Sequence, residues 1–264
     1  RSKFAAEEAV TELNKNNGNP VAIYRLPGVF GKWCKPNYNS VVATFCHNFA
    51  NDMPIHIEDA SKLLKLAHID DVVTSFVQRI MNPSLGLDYP LLSPEYEVTV
   101  GAIADQLQSF QASRSSLLLH DVGHGFGRAL YSTYISYLPT EKFSYDIPMY
   151  SDSRGVFVEF FKNKDAGQCS FLTASPGVTR GSHYHHTKTE KFVVIKGAAS
   201  FGFRNLVTNE TYYLETSGDE VKIVETIPGW AHDVTNVGST ELIVVVWANE
   251  IYNRQLPDTI ASEV

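Results

Sequence analysis

The feature that most restricts the fold is a change of texture after Pro139. From there on, short runs of β-branched and aromatic residues alternate with glycine-bearing turns. Residues 156–161, 168–173, 191–195, 198–204, 210–214, 220–224 and 242–247 each read as a strand, because such side chains pack well on a pleated surface. So many short strands in about a hundred residues fit a sandwich or jelly roll rather than a helical bundle. Residues 138–149, with Pro139 and Pro148 among polar neighbours, read as the linker that precedes this domain.

Residues 2 to about 137 alternate helical and extended segments instead. Residues 2–13 are rich in helix formers, and Gly18 with Pro20 closes that helix. Residues 21–26 form a short apolar run ended by Pro27 and Gly28, as a buried parallel strand would be, and residues 40–49 resume helical spacing. Residues 65–69 are strand-like, and Asp70 and Asp71 then supply an N-cap and first-turn negative charge for a helix to about Met81. Thr99 caps a segment through Phe110. The alternation predicts an α/β domain with a mostly parallel sheet, spanning residues 1–139, followed by an all-β domain over residues 140–264.

Composition narrows the partners. The 264 residues carry 22 Lys and Arg against 29 Asp and Glu, a net charge of −7, with no basic block to meet a phosphate backbone, so nucleic acid is not an expected partner. No apolar run reaches the ~18–20 residues of a membrane span, and no basic start with an apolar stretch marks a signal peptide. The expectation is a cytoplasmic protein without a membrane partner. Cys34, Cys46 and Cys169 are odd in number and widely spaced, which argues against a disulfide framework or a thiolate zinc site.

The chemistry concentrates in the second half. His183, His185, His186 and His232 fall there, three of them within four positions. Along a strand, residues two apart face one side, so His183 and His185 project together while Tyr184 and His186 turn away. With Glu190 across a short turn and His232 about forty residues later, the set offers three imidazoles and one carboxylate. Those ligands suit zinc, with iron, manganese or nickel as alternatives.

The spacing Gly177-x5-His183-x-His185-x4-Glu190-x6-Gly197 resembles the first cupin motif, and Gly229-x2-His232-x3-Asn236 resembles most of the second. The proline of the second motif usually sits one residue further back than Pro228 does. The resemblance implies a cupin jelly roll with His183, His185, Glu190 and His232 as metal ligands. A second resemblance overlaps it. Asp152-x-Arg154-Gly155-x-Phe157-x-Glu159-Phe160, Gly177 to Tyr184 and Lys191-Phe192-Val193-Val194 are similar to the signature of nucleotide-sugar 3,5-epimerases. That family implies that Arg154, Glu159, Arg180 and Lys191 face the substrate, with the histidine at the place of His183 as a free base. His183 cannot serve as both ligand and base, because its lone pair is used once. The metal-free epimerases carry glutamine where His185 stands, which favours the ligand role. Tyr184, His186, Lys191, Tyr212 and Tyr213 are then the candidate proton carriers.

In the first half, Arg1 to Glu7 resembles the tail of the Tyr-x3-Lys helix of extended short-chain dehydrogenases. Arg25-Leu26-Pro27-Gly28-Val29-Phe30-Gly31 resembles their loop beside the nicotinamide, and residues 66–73 the strand and helix that follow. The resemblance implies a partial Rossmann-type reductase domain in which Lys3 tunes a catalytic tyrosine and Leu26, Pro27 and Gly28 lie near NADPH. That tyrosine and the phosphate loop would precede this sequence, so the chain reads as part of a longer protein. Gly123-His124-Gly125-Phe126-Gly127 lacks the strand-loop-helix context of a phosphate loop, and His120-Asp121-x-x-His124 reads as a solvated loop.

The order of a reductase tail followed by a nucleotide-sugar-like cupin resembles the bifunctional capsular-polysaccharide enzymes of the CapF kind. The resemblance implies a homodimer acting on a UDP-linked 2-acetamido-2,6-dideoxy-4-ketohexose. The cupin would invert C3 through an enolate, and the reductase would reduce C4 with NADPH to UDP-N-acetyl-6-deoxy-talosamine, a precursor of N-acetyl-L-fucosamine. The same ligand set leaves two other readings open, a non-catalytic metal-bound scaffold or sugar-nucleotide sensor and a cupin dioxygenase.

Overall fold

The computed structural model describes residues 2–264, so Arg1 of the proposed helix tail lies outside the described residues. Two compact units result. One comprises residues up to Ala112 with Asp121–Ser144, and the other Ser113–His120 with Tyr145–Val264.

Helix α1 (Ser2–Asn17) stops where Gly18 adopts φ +67° and returns its N–H to Asn14 O at 2.9 Å. The chain continues through β1 (Val21–Ala22), β2 (Gly28–Phe30), α2 (Val41–Ala50), β3 (Leu63–His68), α3 (Ile69–Met81), β4 (Leu87–Asp88), β5 (Tyr96–Thr99), α4 (Val100–Ser116) and α5 (Gly125–Ile135). Two caps follow from side-chain chemistry. Ser40 Oγ accepts from Ala43 N–H at the start of α2, and Thr99 Oγ1 accepts from Ala102 N–H at the start of α4, each at 3.2 Å. Phe30, Phe45, Leu107, Leu130 and Tyr134 lie in a core packed between these elements.

The first unit departs from the expected sheet. Its described residues form a parallel pair, β1–β4, and a separate three-stranded sheet in the order β2-β3-β5. In the latter β2 and β3 are parallel, but β5 is antiparallel. A continuous Rossmann sheet is therefore not formed here, because only Val21 and Ala22 of the apolar run 21–26 find a strand partner. The start of α3 also differs. The helix begins two residues earlier than expected, so His68 is the N-cap, without a side-chain bond, and Asp70 and Asp71 sit inside the first turn, where they still oppose the helix dipole.

The second unit is a β-sandwich. Its strands are β6 (Tyr150–Asp152), β7 (Gly155–Asn163), β8 (Gly167–Ala174), β9 (Thr179–Tyr184), β10 (Glu190–Lys196), β11 (Ala198–Asn205), β12 (Thr211–Ser217), β13 (Val224–Glu225), β14 (Trp230–Asn236), β15 (Leu242–Ala248) and β16 (Ile260–Ala261). They form a six-stranded sheet in the order β13-β10-β15-β8-β7-β6 and a five-stranded sheet in the order β12-β11-β14-β9-β16. Along β15 buried and half-buried residues alternate, and Leu242, Val244 and Val246 meet Val194, Phe201 and Val234 in the core between the sheets. The sandwich matches the expected jelly roll. The run 220–224 is the exception: pairing is confined to β13 and an isolated bridge between Ser217 and Glu220, and Val221 and Ile223 stay exposed rather than joining a buried face.

Candidate metal centre

β9 and β14 are antiparallel neighbours, and their register sets His183 directly opposite His232. The pairing shifts at this point. Ser182 has φ +57° and Gly181 φ +104°, so the chain bulges just before His183 and turns its ring toward His232. A side chain at Gly181 would stand 3.0 Å from both His232 O and Asp233 Cα, which is why the position needs glycine. His185 follows the end of β9, and Glu190 opens β10.

Ligand-capable atoms of His183, His185, Glu190 and His232 all lie within 4.8 Å of one another. The three imidazole centroids are 4.7 to 5.0 Å apart. Glu190 Oε2 stands 3.2 Å from His185 Nε2 and 3.4 Å from His232 Nε2. Outer contacts fix the rings. His185 Nδ1 donates to the Asp258 carbonyl, and His232 Nδ1 faces the Trp230 carbonyl at 3.4 Å. A carbonyl only accepts, so in a neutral ring the Nε2 atom of each turns a lone pair inward.

The Nε2 atoms of His183 and His232 are buried and have no hydrogen-bond partner among the described residues. Such orphaned atoms are rare in a folded interior, and two of them aimed at a buried carboxylate fit a cation. Electrostatics agree. Burial opposes ionisation of Glu190, but the adjoining imidazoles of His185 and His232 and the charge of Lys188 hold its carboxyl well below the usual range. Burial first, then the neighbouring His232, pulls His183 down to about 4, so the ring is neutral and ready to ligate.

The cluster opens on a cavity of about 320 Å³, lined by Arg154, Glu159, Arg180, Lys188, Asp233 and Tyr252 among others, together with His183, Glu190 and His232. Arg154 is paired with Asp152, whose carboxyl that guanidinium holds down to about 2. Arg180 donates to the Thr173 carbonyl at 3.0 Å. Burial, then the charge of Arg154, lowers its pKa, with the charge of Asp152 opposing. Glu159 is bound by Lys162 at 2.9 Å.

Comparison with known proteins places this arrangement. Residues 150–260 match the Polysaccharide biosynthesis C-terminal domain family. A UDP-2-acetamido-2,6-beta-L-arabino-hexul-4-ose reductase of Pseudomonas aeruginosa is 54% identical over 264 residues, all of this chain and 71% of the relative. The capsular polysaccharide assembling protein CapF of Staphylococcus aureus superposes with a TM-score of 0.95 at 40% identity, covering 100% of this chain and 72% of that one. The chain belongs to the CapF family. CapF with the inhibitor 3-isopropenyl-tropolone is similar at a TM-score of 0.92 and 40% identity, over 98% of this chain and 75% of that one. The spore coat polysaccharide biosynthesis protein SpsL of Bacillus subtilis is 27% identical over 122 residues, 41% of this chain and 79% of the relative.

In this CapF-family chain the structure gathers some expected residues and leaves others apart. The four metal candidates converge, and Arg154, Glu159 and Arg180 line the same cavity. Lys191 does not join them. Since Glu190 faces inward, strand alternation turns Lys191 outward, where it pairs with Glu225 and stands over the Trp247 ring. Tyr184 and His186 pack edge to face on each other, 5.4 Å apart, outside the cavity lining, and Tyr212 and Tyr213 are exposed on β12. Lys3 is exposed on α1, while Leu26 and Pro27 lead into β2, which Gly28 opens. Sequence reasoning misses Lys188, Asp233, Tyr252 and Asp258. Strand alternation signals only the exclusion of Lys191; Lys188, Tyr252 and Asp258 are brought in by loops, and Asp233 by β14.

Proposed function

We propose that the second unit is a metal-dependent sugar-nucleotide epimerase that inverts C3 of a UDP-linked 2-acetamido-2,6-dideoxy-4-ketohexose. The observation that carries it is one cavity joining a buried His and Glu cluster, with unpaired imidazole nitrogens, to two arginines. The 54% identical relative, named as a reductase of a UDP-linked 4-ketosugar, supports the substrate class. A tropolone, the ligand of the CapF complex, presents two adjacent oxygens, which suits chelation of a cation and supports the metal reading.

His183, His185, Glu190 and His232 would hold the ion, zinc by the character of the donors. Such an ion would supply Lewis acidity toward the ketone of the substrate. Arg154 and Arg180 grip the diphosphate, a role the planar guanidinium fork serves better than an ammonium. The C3 hydrogen is acidic only next to the ketone, where the enolate delocalises its charge, and preorganised donors toward that charge are often worth ~3–4 kcal/mol each. Proton transfer falls to groups that line the cavity, Tyr252 among them, rather than to Lys191, Tyr184 or His186.

In the complete protein the first unit would belong to the reductase, with Lys3, Leu26, Pro27 and Gly28 in its NADPH-dependent site, and the assembly would be a homodimer. Epimerisation must precede reduction, because removing the ketone removes the acidity at C3. The test is deuterium uptake from heavy water into C3 of the UDP-ketosugar with metal-loaded protein and no NADPH. Uptake that falls on the order of 100-fold or more in Glu190→Gln is expected, since general acid–base and electrostatic groups contribute on that scale. Binding of the UDP-sugar without exchange at full metal occupancy would make the unit a scaffold or sensor instead.

A further inference from the structure

Lys188 lies in the turn before β10 and is only 7% exposed. Its Nζ stands 3.2 Å from Glu190 Oε1 and 3.2 Å from Thr259 Oγ1. Removing an ammonium from water is costly unless it is paired with good geometry, so its placement against a metal-ligating carboxylate calls for a reason. The two oxygens of Glu190 have different surroundings: Oε2 faces the Nε2 atoms of His185 and His232, whereas Oε1 faces Lys188. The turn that carries Lys188 is itself clasped. The Asp258 carboxylate accepts backbone N–H groups from His186, Thr187 and Lys188 at 2.9, 2.7 and 2.8 Å.

We propose that Lys188 is a positioning residue that occupies Oε1 of Glu190 and leaves Oε2 alone to a bound cation. This inference rests on the metal reading of the cluster. The carboxylate then ligates through one oxygen, so four protein atoms hold the ion, and the position that its second oxygen would take stays available for a substrate oxygen as a fifth ligand. Thr259 and the Asp258 clasp hold the ammonium in register, so the preference is built into the fold before any ion arrives.

Co²⁺ loaded into the metal-free chain reports the number of ligands, because its visible absorption is strong at four-coordinate sites and weak at higher coordination. Lys188→Met is expected to bind Co²⁺ with a marked loss of visible intensity, as Glu190 engages both oxygens, while Lys188→Arg, which keeps a cationic donor, retains the wild-type band. An unaltered band in Lys188→Met at full occupancy would overturn the proposal. Should Lys188→Met fail to fold by circular dichroism, Thr259→Val, which loosens the same ammonium without removing it, decides instead. A weakened band then supports the proposal, and an unchanged one overturns it. A wild-type chain that takes up no Co²⁺ would overturn the metal reading itself, and this inference with it.

Discussion

At His183, burial decides protonation. The ring falls from 6.5 to about 4, first through desolvation and then through His232, with Glu190 opposing. The unfolded chain therefore binds a proton near pH 6.5 that the folded, metal-free chain refuses until about pH 4. Between those values the unfolded state holds more protons, so stability is present above the higher pH and lost as pH falls. Thermal unfolding of the metal-free protein across that window is expected to show a falling midpoint, less steep in His183→Asn; equal slopes would contradict the account. Asp258 is the other decisive residue, since its carbonyl orients His185. Asp258→Ala keeps that carbonyl but removes the carboxylate that clasps the N–H groups of His186, Thr187 and Lys188, so the segment holding it should loosen and metal binding weaken by ~10–100-fold in a competition titration, the usual cost of disturbing the outer support of a ligand. The four ligands are legible in the sequence because a two-residue period and a fixed motif bring them to one side. Lys188 and Asp258 are not, because loop closure joins positions 70 apart, and no local pattern records that.

Among the elements, β9 does the most to shape the site, and its bulge at Ser182 turns His183 toward β14. Gly181→Ala would force a side chain into φ +104° and against His232 O and Asp233 Cα at 3.0 Å. Holding such a conformation costs about 1–3 kcal/mol, so denaturant unfolding should show a loss of that size, with reduced metal uptake as the ring is displaced. An unaffected midpoint would mean that the bulge is not needed. Most strands of the sandwich are legible from their β-branched runs. β14 is the instructive omission, because His232, Asp233 and Asn236 are weak strand formers and its pairing with β9 and β11 carries it instead. The outward turn of Lys191 was available from the same alternation that places Glu190 inward.

Taken as two units, the molecule divides its legibility unevenly. The sandwich follows from pattern because antiparallel strands alternate buried and exposed residues within their own sequence. In the first unit, helices α1 to α4 follow from capping residues and propensity, whereas α5, opened by Gly125 without a side-chain cap, is not expected from the sequence. The sheets of that unit do not follow either, because β1, β2 and β4 have only two or three residues each and their partners are distant in sequence. Among the described residues no helix is long and apolar enough to cross a membrane. A bound cation should also stabilise the fold by mass action, about 4 kcal/mol at a thousandfold excess over its dissociation constant, and chelation should lower the thermal midpoint accordingly. Elemental analysis of the purified chain, beside His183→Ala and Glu190→Ala, tests the convergence of the four side chains on one ion most directly. One equivalent of a divalent transition metal in the wild type and its loss in both variants is the predicted result; a wild type that neither carries nor takes up a stoichiometric ion would contradict it.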